Sequence, residues 1–237
     1  MLRSLLFNIL FYTGTVATAI LGFPFLIFKR FGFFISRAWS YTVLLVLRFT
    51  IGTKFKVEGD VPTKPVLILS KHQSAWETIA YNHIIHRPAF ILKEELMWIP
   101  FFGLYLKAVG MIALDRRGTL QALKKLIRDS KKVIARDRLI IMFPEGTRSA
   151  PGSKGSYKKG AFLLYKNLGV SVVPVALNSG VFWPRRTFMK YKGTITVKFL
   201  PPIPPGLSEK EFMHKIEEKI EQESLKLFNQ VEKLKKI

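Results

Sequence analysis

The chain has 237 residues, 49% of them hydrophobic, and its 38 Lys and Arg against 16 Asp and Glu give a formal charge of +22. That surplus implies an anionic partner, and alongside 20 Phe it favours an anionic membrane surface over nucleic acid. Cysteine is absent, which excludes disulfides, a thiol nucleophile and thiolate metal sites.

From Ser4 to Phe28 run 25 residues without a charge, between Arg3 and Lys29-Arg30. As a helix they would measure about 37 Å, enough to cross a hydrocarbon core of about 30 Å. Pro24 kinks or ends that helix. A second apolar stretch, Phe31–Leu47, is broken by Arg37, and an Arg at mid-bilayer costs about 2.5–3.5 kcal/mol. This piece therefore lies in the interface or returns toward it, so that Lys29, Arg30, Arg37 and Arg48 meet headgroups on one side. The favoured reading is a two-helix hairpin embedded in one leaflet of the inner membrane, docking the rest of the chain on its cytoplasmic face. A single spanning helix is one alternative. A cleaved leader ending at Ala17-Thr18-Ala19 is another, although apolar character continues to Leu47, which a leader does not need.

The chain then divides at about residue 50, residues 51–237 having a globular texture. Short strand-like runs occur at Val66–Leu69, Ala89–Leu92, Met111–Leu114, Leu139–Phe143, Val170–Leu177 and Thr194–Leu200. Helix-like segments alternate with them near 75–85, 100–109, 119–136 and 159–167. This alternation predicts an α/β fold, a largely parallel sheet flanked by helices. Lys124, Lys125, Arg128, Lys131, Lys132 and Arg136 share one segment without interleaved aromatics, so they read as facing headgroups or solvent and not nucleotide bases. His83 and His86 lack an acidic partner nearby and read as solvated, and no metal site is predicted. Pro201–Gly206 is a stiff connector, and Ser208 with Glu211 forms a capping box that opens a last helix. Phe212, Ile216, Ile220, Leu227, Val231 and Leu234 make its apolar stripe, whose role reads as packing.

Two stretches carry chemistry. Ser70-Lys71-His72-Gln73-Ser74-Ala75-Trp76-Glu77 follows the first of those runs, so His72 falls at the carboxyl end of a strand, where open α/β sheets bind ligands. Near neutral pH an unperturbed imidazole can take a proton from a hydroxyl. Glu77 can orient that imidazole, yet Ser74-x-x-Glu77 is also a capping box. The second stretch, Phe143-Pro144-Glu145-Gly146-Thr147-Arg148-Ser149, ends another strand-like run. Arg148 can grip a phosphate, Glu145 can accept a hydroxyl and Gly146 lets backbone approach closely. An ordinary turn with a surface ion pair is the plainer alternative.

In this order the stretches resemble the glycerolipid acyltransferase family. His72–Glu77 is similar to its H-x₄-D block, Gly110–Arg116 to its G-x-I-x-I-D-R block, Phe143–Ser149 to its F-P-E-G-T-R-S block and Val173-Pro174-Val175 to its V-P-V block. Glu77 departs from the usual Asp. The resemblance implies acyl transfer from acyl-CoA or acyl-carrier protein to a lysophospholipid, foremost 1-acyl-glycerol-3-phosphate, with phosphatidic acid as product. It implies His72 and Glu77 as the catalytic pair, and no metal, cofactor or acyl-enzyme. For substrate binding it implies Lys93, Arg116, Glu145, Gly146, Thr147 and Arg148. Another lysolipid acceptor, or a basic lipid-binding protein without catalysis, remains the alternative.

Overall fold

The computed structural model describes residues 1–235. One sheet holds seven strands: β1 (Thr53–Glu58), β2 (Leu67–Ser70), β3 (Ala89–Lys93), β4 (Ile112–Leu114), β5 (Ile140–Met142), β6 (Val172–Leu177) and β7 (Gly193–Phe199). Their order is β1-β7-β6-β2-β5-β3-β4. Neighbours are parallel except β6 with β7, so the sheet is largely parallel, as expected.

Strands β2, β5 and β6 are buried along their whole length. They read as unbroken apolar runs because helices cover both faces. On one face Ile68, Ile141 and Val175 pack with Trp76 and Ile79 of α3 (Trp76–Ile84). On the other, Leu67, Leu69 and Ile140 meet α5 (Leu120–Ile134), α6 (Gly160–Leu168) and α8 (Glu209–Lys235) through Leu126, Leu164 and Ile216. The short α4 (Phe102–Ala108) and α7 (Ser179–Phe182) link β3 to β4 and β6 to β7.

The N-terminal residues form α1 (Leu2–Gly22), a 3-10 turn at Phe23–Ile27 and α2 (Lys29–Thr50). Pro24 sits in the turn and α1 stops before it. The two helices fold back on each other, Trp39 donating its indole N–H to the Thr15 hydroxyl at 3.1 Å. They also enter the core. Phe7, fully buried, meets Trp183 edge-to-face at 5.1 Å, and Val43, Leu44 and Leu47 join the cluster that holds Ile68 and Ile141. The two helices and the turn between them expose Leu5, Ile9, Tyr12, Val16, Ile20, Phe25, Phe34 and Phe49. Leu2–Ile27 is the one segment among the described residues long and apolar enough to cross a membrane.

Several expectations need adjusting. Strand β1 lies at the sheet edge, where Lys54 and Lys56 stay exposed and break the apolar signal. The capping box at Ser208 forms in full, with Glu211 accepting the Ser208 N–H at 3.0 Å and the Ser208 hydroxyl accepting the Glu211 N–H at 3.3 Å. Phe212, Ile216, Ile220 and Leu227 are buried, but Leu234, in the last turn of α8, is exposed. His83 is not solvated: it stacks on Tyr41 at 5.3 Å, and burial together with the Arg37 charge holds its pKa below the ordinary histidine value. His86 is exposed.

Candidate active site

Strands β2, β5, β3 and β4 are parallel neighbours, so their carboxyl ends share one edge of the sheet. There His72 follows β2, Phe143 follows β5, Lys93 ends β3 and Arg116 follows β4. The sheet alone thus gathers residues scattered over much of the sequence.

The His72 Nδ1 lies 2.8 Å from Glu77 Oε1. An ionised carboxylate only accepts, so Nδ1 carries the hydrogen, and in the neutral ring Nε2 keeps its lone pair. Among the described residues Nε2 has no protein partner, and His72 lines the main cavity. The Phe143 ring stacks on the imidazole with centroids 4.0 Å apart. Glu77 is fully buried, and its Oε1 also accepts the N–H groups of Gln73 and Ser74, each at 2.7 Å. That reach back is one half of the capping box. The Ser74 hydroxyl accepts instead from the Trp76 N–H at 3.1 Å, so capping and orientation coexist in one carboxylate. The Ser179 hydroxyl donates to Glu77 Oε2 at 2.7 Å. Ser179 comes from the short helix after β6, where no sequence spacing marks it.

The second stretch wraps the first. Ser149 donates its N–H to the His72 carbonyl at 2.8 Å, and Gly146 turns the chain at φ 68°, a left-handed conformation that favours glycine. Glu145 lines the cavity with partners of its own. Its Oε1 takes the Lys71 ammonium at 2.6 Å and its Oε2 the His72 N–H at 3.0 Å, so both oxygens are engaged within the protein. Thr147 is exposed and Arg148 half-buried. Arg185 donates to the Arg148 carbonyl at 2.9 Å.

One cavity of about 1550 Å³ adjoins all of this. Its basic lining comprises Lys93, Arg116, Arg148, Lys158, Arg185 and Arg186. The Lys93, Arg116 and Arg148 side chains have no protein acceptor among the described residues. Asp115 is held instead by Arg117, whose side chain and backbone N–H together donate four hydrogen bonds to it and lower its pKa to about 2. Arg185 and Arg186 escaped the sequence reading, since a surface loop with two arginines has no distinguishing pattern. The rest of the lining is mostly apolar, from Ala19 and Ile20 of α1, Ile35 and Trp39 of α2, and Phe102 and Leu106 of α4. Val16 and Ile20 line the cavity while remaining 58% and 57% exposed. Among the described residues no three His, Asp or Glu gather closely enough to share a metal ion.

The chain matches a family model described as acyltransferase over residues 54–178. It is 35% identical over 205 residues to the 1-acyl-sn-glycerol-3-phosphate acyltransferase of Pseudomonas aeruginosa, covering 84% of this chain and 80% of that one. The enzyme of that name from Helicobacter pylori is 28% identical, over 76% of this chain and 77% of its own. The crystal structure of the 1-acyl-sn-glycerophosphate (LPA) acyltransferase PlsC from Thermotoga maritima shares the fold with a TM-score of 0.79. It is 24% identical and covers 95% of this chain and 96% of its own. The family match spans the whole run from β1 through β6, including both motif stretches, and the chain belongs to the acyltransferase family.

Proposed function

We propose that the protein transfers a fatty acyl group from acyl-CoA or acyl-carrier protein to the free hydroxyl of 1-acyl-glycerol-3-phosphate, giving phosphatidic acid. One observation carries this reading: an oriented imidazole with a free Nε2 opens on a cavity that is apolar on one side and lined by unpaired cations on another. A cavity of this size exceeds the roughly 300–1,000 Å³ of common ligand pockets, which suits two lipid-like substrates together.

His72 Nε2 takes the proton as the acceptor oxygen attacks the thioester carbonyl. The new C–O bond forms, the C–S bond breaks, and the imidazolium returns the proton to the departing thiolate. No acyl-enzyme, metal or cofactor enters this route. Glu77 holds the imidazole tautomer and stabilises its charged form, steadied by Ser179. Lys93, Arg116 and Arg148 hold the phosphate, while Gly146 and Thr147 shape the loop beneath it. Glu145 acts from behind, fixing the His72 peptide. The exposed apolar faces of α1 and α2 seat the chain in the inner membrane, with the sheet on the cytoplasmic side, because apolar burial and attraction to anionic headgroups together make anchoring stable.

Incubating the purified protein with a panel of lysolipids and both donors, and reading products by mass spectrometry, tests the proposal. Phosphatidic acid from lysophosphatidic acid is the expected product. Preference for another lysolipid moves the acceptor, and no acyl product at all favours a non-catalytic lipid binder.

Two substitutions resolve roles within the site. Glu77→Gln keeps a side chain able to accept the Gln73 and Ser74 N–H groups but removes the charge facing the imidazolium. Turnover should fall by about 100-fold or more with the melting temperature within a few degrees of wild type. Near-normal activity would reduce Glu77 to a helix cap. Arg148→Ala should raise the KM for lysophosphatidic acid about tenfold or more while leaving the donor KM nearly unchanged. An equal rise for both substrates would contradict a phosphate-specific role.

A further inference from the structure

Lys71, Glu145 and Glu221 form a buried ion triad behind the catalytic residues. The Lys71 and Glu145 side chains are each 1% exposed, and that of Glu221, from the middle of α8, is 15% exposed. The Lys71 ammonium donates to Glu145 Oε1 at 2.6 Å, to the two Glu221 oxygens at 2.7 and 2.9 Å, and to the Ser153 carbonyl at 3.1 Å. Because the other Glu145 oxygen accepts the His72 N–H at 3.0 Å, a continuous chain of charge-assisted hydrogen bonds runs from α8 to His72. The surroundings are shaped to let it pass. At Gly155 a side chain would collide with the Glu145 carboxylate, and the Gly155 N–H points to Glu221 Oε1 at 3.5 Å.

Packing does not account for this arrangement. Phe212, Ile216, Ile220 and Leu227 already bury the apolar stripe of α8. An ammonium between two carboxylates carries a large desolvation penalty, offset only while all partners stay in place. Removing Glu221 leaves a neutral Lys71–Glu145 pair but strips two of the four acceptor contacts from the buried ammonium, at the very residue that adjoins His72.

We infer that Glu221 is a positioning residue for acyl transfer. By fixing Lys71 it aims Glu145 at the His72 N–H, and so holds the imidazole where Nδ1 meets Glu77 and Nε2 faces the cavity. The inference rests on the reading of His72 as the base. It gives the C-terminal helix a part in turnover that its sequence does not suggest.

Glu221→Ala should lower kcat about tenfold and leave the KM of both substrates within about twofold, since a misplacement well under 1 Å suffices for such a loss. Glu221→Gln, which still offers Lys71 an acceptor, should recover most of the rate. Lys71→Met, which sets two carboxylates against each other, should lose about 100-fold. Hydrogen exchange read by mass spectrometry supplies a measure independent of activity. In Glu221→Ala the His72 amide should exchange faster while those of Leu67–Leu69 keep their protection. Leu227→Ala serves as the control: it loosens α8 away from the triad, and should lower the melting temperature without changing kcat or exchange at His72. Wild-type turnover and unchanged His72 protection in Glu221→Ala would overturn the inference, as would both effects appearing in Leu227→Ala. Failure of the wild-type chain to acylate any lysolipid would count against the proposed reaction instead, and the exchange comparison would still decide the role of Glu221.

Discussion

His72→Ala should lower turnover at least about 100-fold while leaving the fold and membrane binding intact. The loss follows from removing an imidazole that lines the cavity and whose Nε2, among the described residues, has no protein partner. The tolerance of the fold follows from what remains. Glu77 would still accept the Gln73, Ser74 and Ser179 donors, so no buried carboxylate is left unpaired. The side chain is 14% exposed and stacks only on Phe143 among aromatic neighbours, so its truncation opens little of the core. Acylation rates and thermal unfolding of the same preparation check both halves. Retention of more than about a tenth of wild-type turnover would remove His72 from the role of base.

Deleting residues 1–50 should abolish activity and leave a chain that aggregates instead of a soluble domain. Phe7, Val43, Leu44 and Leu47 are buried against residues of the sheet and of α3. Each fully buried apolar side chain is worth about 1.5–3 kcal/mol, so these four approach the roughly 5–15 kcal/mol by which whole domains are stable. The deletion also strips Val16, Ile20, Ile35 and Trp39 from the cavity wall. Size-exclusion chromatography and near-ultraviolet circular dichroism of residues 51–237 would report the outcome. A monomeric, folded product that still acylates a short-chain, water-soluble lysophosphatidic acid would show that the two helices serve as an anchor alone.

The parts of this molecule legible in its sequence are those dictated by local chemistry or by burial on two faces. Strands β2, β5 and β6 announced themselves as apolar runs because neither face meets water. His72 and Glu77 stood out because five positions can bring an imidazole and a carboxylate together across one turn. Strand β1 did not, because at the edge its lysines point outward and its apolar residues are only Phe55 and Val57. Lys93 and Arg116 were reached through family resemblance and not through any pattern of their own. Glu145 illustrates the harder limit. Its residue type allows a substrate contact, and only the Lys71 ammonium and the His72 N–H, both just past β2, engage its two oxygens within the protein. Ser179 and Arg185 were hidden for the same reason, since their partners are set by how distant segments meet.

Val16 and Ile20, which line the cavity and are exposed as well, acquire a kinetic meaning if the chain sits in a bilayer as proposed. A long-chain acceptor would enter sideways from its own leaflet, keeping its tails out of water throughout. Encounter then becomes a search over a surface, governed by the mole fraction of acceptor among its neighbouring lipids and not by its amount per volume of solution. Diluting the acceptor with inert lipid would slow such an enzyme even where the total quantity of acceptor in the tube stays the same.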